Sequence, residues 1–251
     1  MKKKMYVLGV AAMIAALLAM SGVAQSAMWV GAELGGNFPL ATDLRFSSGG
    51  QYGRLTGVGI QPAVIGGAII GYDFVNSGFG AYAWPSWMQY FSFAMDITYN
   101  KLEIRGSQTI GFSGVNESGS VNLPNHARLK GYEVAWTFLF MAHYGFLRDD
   151  VAPSGRINPY IGVGPAIVWT GFDFDNTFSF GQTTKVNATN VALVVEPGIR
   201  WVCFKNISID TSMRYRYCTP SYNFTAIHDS VNVTFNALHQ LSFLVRANYH
   251  F

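Results

Sequence analysis

Near its C-terminus the chain alternates strictly. Leu241, Phe243, Val245, Ala247, Tyr249 and Phe251 take turns with Gln240, Ser242, Arg246, Asn248 and His250, and only Leu244 falls out of step. A period of two predicts a strand whose faces meet different surroundings. Sustained for about a dozen residues, it suits a tilted membrane strand better than an ordinary sheet strand. The preceding segment repeats it, with Ile207, Ile209, Met213, Tyr215 and Tyr217 against Ser208, Asp210, Ser212, Arg214 and Arg216. Comparable segments fall at about 190–203, 157–171, 131–146, 90–102, 62–74 and 28–38. Segment 62–74 carries the weakest pattern, being apolar on both faces and rich in glycine.

Eight segments give the even count that a closed bacterial barrel requires. The connections at about 39–61, 103–130, 172–189 and 218–236 are long and rich in Gly, Ser, Asn and Thr, whereas those at about 75–89, 147–156 and 204–206 are shorter. Long loops on one side and short turns on the other predict an all-β fold: a closed eight-stranded antiparallel up-and-down transmembrane β-barrel. The turn with Trp84, Pro85 and Trp87 is long enough for a small structured element.

A soluble eight-stranded barrel would show the same alternation with the faces reversed. The charges discriminate. If Phe204, Lys205 and Asn206 form a three-residue turn, Cys203 pairs with Ile207, Arg200 stands opposite Asp210, and Glu196 stands opposite Arg214. Two opposite-charge pairs in one register predict ion pairs on that face. Glu33, Asp96, Glu133, Arg216 and Arg246 share its parity. Matched charges suit a confined lumen, where an unpaired ion is costly; on a solvated exterior they contribute little. The opposite parity gathers Phe38, Tyr99, Trp169, Tyr215 and Tyr217 near one set of strand ends and Tyr72, Phe74, Tyr144, Phe146, Trp201, Tyr249 and Phe251 near the other. Two such girdles match two membrane interfaces.

Composition agrees. Aromatic residues make up 15% and charged residues 12% of the 251 residues, against roughly 25% charged in soluble domains. The formal charge of +3 is supplied by Lys2, Lys3 and Lys4; without them 14 basic residues face 14 acidic ones. Nucleic-acid binding has no electrostatic footprint here. The same lysines, the apolar run Tyr6 to Met20 and the small residues Ser21 to Ala27 have the layout of a secretory signal peptide. We expect residues 1–27 to be that peptide, cut after Ala24 or Ala27, and residues 28–251 to be the barrel domain.

The segments Pro159 to Gly164, Asp210 to Tyr217 and Arg246 to Phe251 resemble the eight-stranded outer-membrane family typified by the transmembrane domain of OmpA and by OmpX. The resemblance covers essentially the whole mature chain and implies architecture more than activity. It implies location in the outer membrane of a Gram-negative bacterium with both termini periplasmic. It further implies contact with outer-membrane lipid and lipopolysaccharide, and recognition of Tyr249 and Phe251 by the outer-membrane assembly machinery. The peptidoglycan-binding domain frequent in that family is not expected.

Cys203 and Cys218 lie on opposite parities at opposite strand ends. Strand rise separates them by on the order of 30 Å, beyond disulfide reach, so two free thiols are expected. His126, His143, His228, His239 and His250 are scattered without metal-ligand spacing. We therefore expect no metal, cofactor or catalytic site.

Three functional classes follow. The first is a structural or surface-interaction barrel that meets an extracellular partner through four loops, with Glu196, Arg214, Arg200 and Asp210 as lumen ion pairs and Tyr222 and Phe224 as candidate contact residues. The second is a narrow or gated channel, in which the small residues Gly162, Gly164 and Ala166 leave room along one wall. The third is a lipid A-modifying enzyme using Ser221 with His228 or His126, although no His-X-Ser-Asn run accompanies them. We expect no enzymatic activity.

Overall fold

The computed structural model describes residues 28–48, 51–74, 84–104, 108–114, 118–122, 130–150, 152, 154–173, 185–225 and 230–251. The expected signal peptide lies outside them. Eight strands close on themselves: β1 (Met28–Pro39), β4 (Ala63–Asp73), β5 (Phe91–Lys101), β8 (Lys130–His143), β9 (Ile157–Asp173), β10 (Lys185–Phe204), β11 (Ile207–Cys218) and β14 (Leu238–His250). Each pairs antiparallel with its neighbours, and β14 closes the ring on β1. These eight coincide with the eight alternating segments to within a few residues, except that β10 starts five residues earlier.

Their alternation sorts the side chains. Leu34, Val64, Ile97, Phe140, Val191 and Val245 face outward and exposed, whereas Glu33, Asp96, Glu133, Glu196, Asp210, Arg214, Arg216 and Arg246 are buried within. An exposed apolar band that circles a ring of buried ions is the surface of a lipid-facing barrel, far beyond the few hundred Å² of apolar patch on a soluble monomer.

Two glycines permit close packing at the turn side. A Cβ on Gly71 would lie 2.1 Å from the Trp29 ring, and one on Gly198 would lie 2.4 Å from Cζ of Tyr160. Each glycine faces a large inward aromatic from an adjoining strand, and the aromatic fills the space that its absent side chain leaves. Gly71→Ala is expected to cost about 1–3 kcal/mol through overpacking, read as a lower midpoint of urea unfolding from lipid vesicles; an unchanged midpoint would show that Trp29 moves aside freely.

The β10–β11 hairpin departs from expectation in its turn. Phe204, rather than Cys203, pairs with Ile207, so the turn has two residues, and a bulge between Val202 and Phe204 absorbs the extra one. On the other side of β10 the Val202 amide donates to the carbonyl of Arg156 at 2.8 Å, which extends the pairing with β9 by one step. Beyond the bulge Arg200 still stands opposite Asp210. Both thiols are free, Cys218 buried and Cys203 partly exposed. The turn before β5 holds a short 3-10 helix, Ser86–Tyr90. Its own Trp87 and Tyr90, with the preceding Trp84, pack on Phe91, Tyr144 and Phe74 and thicken the girdle at the turn side.

The long connections are not simple loops. β2 (Thr42–Ser48), β3 (Gln51–Val58), β6 (Thr109–Ser113), β7 (Ser118–Asn122), β12 (Ser221–Thr225) and β13 (Ser230–Phe235) form a second, six-stranded sheet in the order β12-β13-β2-β3-β6-β7. Three connections that are far apart in sequence thus pair with one another. Leu44, Val58, Ile60, Leu102, Ile104, Ile110, Phe172, Val186, Tyr222, Phe235 and Leu238 are buried in an apolar core continuous with that of the upper barrel.

Candidate functional site in the barrel lumen

The inward positions form tiers. At the turn side Trp29 is fully buried, the guanidinium carbon of Arg200 lies 4.4 Å from its ring centre, and its indole N–H donates to Asp73 at 3.0 Å. Such a cation over an indole is favourable, more so when desolvated. Arg200 also meets Asp210 through Nε at 3.3 Å and Asp73 through Nη1 at 3.5 Å.

The next tier is the most densely charged. Arg214 reaches Glu196 through Nε at 2.6 Å and Asp96 through Nη2 at 2.5 Å, with Glu33 3.8 Å away. Arg246 bridges Glu33 and Glu196, each at 2.5 Å. The Tyr160 hydroxyl donates to Glu196 at 3.2 Å and accepts from Arg246 at 3.0 Å. Residues from β1, β5, β9, β10, β11 and β14 therefore converge at mid-barrel. One tier further out, Glu133 accepts from Arg216 at 2.5 Å and from Gln240 at 2.6 Å. These are charge-assisted bonds in a water-poor interior, where they are strongest and where loss of one partner is most costly.

Glu196 thus pairs with Arg214, and Asp210 with Arg200, in two neighbouring tiers and as members of a larger set. Sequence reasoning assigned Asp96, Glu33, Glu133 and Arg246 to the same face without partners. Cross-strand register names a residue's neighbour in the sheet, whereas Asp96 meets Arg214 across the lumen from a non-adjacent strand. Asp73 was not assigned to this network, because it sits at the end of a segment apolar on both faces. Tyr249 projects outward from β14, edge-on to Phe251 at 5.4 Å. The Phe251 amide donates to the Met28 carbonyl at 3.1 Å.

Room along β9 is not left open. A Cβ on Gly162 would meet Met141 at 3.2 Å and Leu139 at 3.5 Å, so these two side chains from β8 occupy the space. The outer mouth is closed as well. Tyr222, expected as an exposed contact residue, is buried: its hydroxyl donates to Thr170 at 2.5 Å and its ring packs on Phe172 and Phe235. Burial pushes that hydroxyl above its ordinary titration range. The polar look of its segment concealed this inward turn, and the side chain of Phe224 lies outside the described residues. On the outer sheet Arg45 and Arg54 stand directly opposite each other. Arg54 is held by Asp43, and this bond, with the Gly57 amide, keeps the Asp43 carboxyl below its usual range.

Among the described residues no cluster of His, Cys, Asp or Glu has a metal-binding arrangement. Ser221 is engaged by Thr234 and Asn232, and His126 and His228 lie outside the described residues.

No family model and no curated protein matches the chain. Among solved structures, the outer membrane protein OprG from Pseudomonas aeruginosa superposes with a TM-score of 0.53 at 13% identity, covering 92% of this chain and 98% of that one. Neisserial surface protein A gives 0.47 at 13% identity, over 89% of this chain and 97% of that one. Ail, the attachment invasion locus protein of Yersinia pestis, solved with the heparin analogue sucrose octasulfate, gives 0.37 at 14% identity, over 90% and 99%. The outward apolar band, the ionic interior and the likeness to OprG together make this chain a closed eight-stranded transmembrane β-barrel with the fold of outer-membrane proteins.

Proposed function

We propose that the protein is a non-conducting, non-enzymatic outer-membrane scaffold that displays a preformed sheet to an extracellular partner. The observation that carries this reading is the outer sheet itself: three connections share one apolar core and seal the mouth of an already filled barrel. Function placed on a rigid platform costs less ordering entropy on binding than function on mobile loops. The exposed face around Arg45, Tyr52 and Arg54, with Asn232 and Thr234 beside them, is where the partner would dock. In this reading residues 1–27 direct export, both termini are periplasmic, lipid and lipopolysaccharide surround the barrel, and Tyr249 and Phe251 are read by the assembly machinery. The channel reading is disfavoured by the same seal, and the enzyme reading by the engagement of Ser221.

Crosslinking on intact cells tests the proposal. A partner captured by the wild type should be lost when Arg45, Tyr52 and Arg54 are all changed to Ser, while barrel folding, followed by heat-modifiable gel mobility, is unaffected. Capture of the same partner by the triple variant would move the interaction elsewhere. Steady conductance of porin size in planar bilayers would overturn the non-conducting part.

A further inference from the structure

The two mouths of the barrel differ. The outer one is sealed by apolar packing, but the turn side opens into a cavity of about 390 Å³ lined by Asp73, His143, Arg148, Arg200, Lys205 and His250, among others. Its floor is Arg200, which is 93% buried in the sense that only 7% of it is exposed.

The hydrogen-bonding groups around this cavity are unbalanced. The acceptors are occupied: Asp73 takes the Trp29 indole N–H and faces Arg200, and Asp210, fully buried beneath, takes Nε of Arg200. One donor is not. Among the described residues Nη2 of Arg200 has no acceptor. A guanidinium N–H buried without an acceptor costs on the order of 1–3 kcal/mol or more, which a bound oxygen would recover. Arg148 and Lys205 add two positive charges to its lining, both exposed and with no ion pair among the described residues.

We propose that this turn-side cup is a binding site for a small oxyanion, a carboxylate- or phosphate-bearing solute. One oxygen meets the Arg200 guanidinium at the floor, and Arg148 and Lys205 hold the charge from the rim. Trp29, stacked beneath Arg200 and tied to Asp73, keeps the guanidinium from swinging away, so the donor is preorganised. A cavity of this size takes a small solute whole and is closed beyond by the mid-barrel ion network, so the anion binds without passing through. The site is independent of the outer sheet and of the partner proposed for it.

The test is calorimetric titration of the refolded full-length barrel, in a zwitterionic detergent at low ionic strength, with inorganic phosphate and, separately, with succinate. Saturable one-site binding of either probe is expected, and the tighter of the two identifies the source chemistry. Arg148→Gln combined with Lys205→Gln should weaken it by about tenfold, as expected when two charge-assisted contacts are lost. Lys101→Gln combined with Lys130→Gln removes equal charge at the opposite end of the barrel and should leave binding unchanged. Arg200→Lys, which keeps the charge but not the fork, should weaken it further if the variant shows folded gel mobility. If Arg200→Lys does not fold, the rim and far-end pairs still decide. Saturable binding of neither probe by the wild type, or equal weakening by the rim and far-end pairs, overturns the site.

Discussion

Arg214→Met is expected to destabilise the folded barrel by about 3–5 kcal/mol, the range found when one partner of a buried ion pair is removed. Arg214 is fully buried and serves Glu196 and Asp96 directly, with Glu33 close by. With Asp73, six lumen carboxylates face four guanidinium groups among the described residues, so loss of one guanidinium raises the excess of acid from two to three. Methionine fills much of the volume, which separates the electrostatic loss from a cavity. Adding Glu196→Gln and Asp96→Asn to Arg214→Met should recover a large part of the loss, because neutral amides no longer need the cation. Equilibrium urea unfolding from lipid vesicles measures both steps. A small loss without Arg214, or no recovery in the triple variant, would show that the carboxylates find other compensation.

Tyr222→Ala should loosen the outer sheet by a comparable amount, about 3–5 kcal/mol for a buried aromatic truncated to alanine. The substitution removes the ring packed between Phe172 and Phe235 and strands the Thr170 hydroxyl that accepted its hydrogen bond. The damage should be local. The membrane-embedded strands keep their pairing, so gel mobility stays that of a folded barrel. Protease added to intact cells or vesicles should now cut within β2, β3, β12 or β13, strands expected to resist cleavage in the wild type. Tyr222→Phe, which keeps the ring and loses only the hydroxyl, should lie between the two. Wild-type resistance in Tyr222→Ala would mean that the sheet is held by its strand pairing alone.

These two residues also mark how far the sequence could be read. The barrel was legible because its strands are long and because lipid and lumen impose opposite demands on alternate positions, a signal that survives even around Arg200 and Asp210. The hairpin register was legible from two charge pairs that come into line together, although the bulge that gives Phe204 rather than Cys203 the pairing with Ile207 leaves no mark in the polarity pattern. The outer sheet was not legible. Its strands are five to eight residues long, embedded in polar connections, and Leu44, Ile110 and Phe235 form a core only after three distant segments meet. Tyr222 looked like a surface aromatic for the same reason. Likewise, sequence places Asp96 on the inner face but does not pair it with Arg214 across the lumen.

The seam between the first and last barrel strands has a consequence for biogenesis. Glu33 and Arg246 stand opposite each other across that seam, 213 residues apart, and are buried together only when it shuts. A slip of two residues, the smallest that keeps every side chain on its proper face, would set Glu33 against Leu244 or Asn248 and take from Arg246 one of its two carboxylates. The hydrophobic alternation alone cannot detect such a slip, since lipid-facing positions still face lipid. The ion pair can, because a misaligned ring would break a buried pair and leave both charges less well compensated away from water. Glu33 and Arg246 therefore act as an error check on ring closure: they distinguish the one correct alignment from near-identical wrong ones at the moment the newly made chain becomes a cylinder.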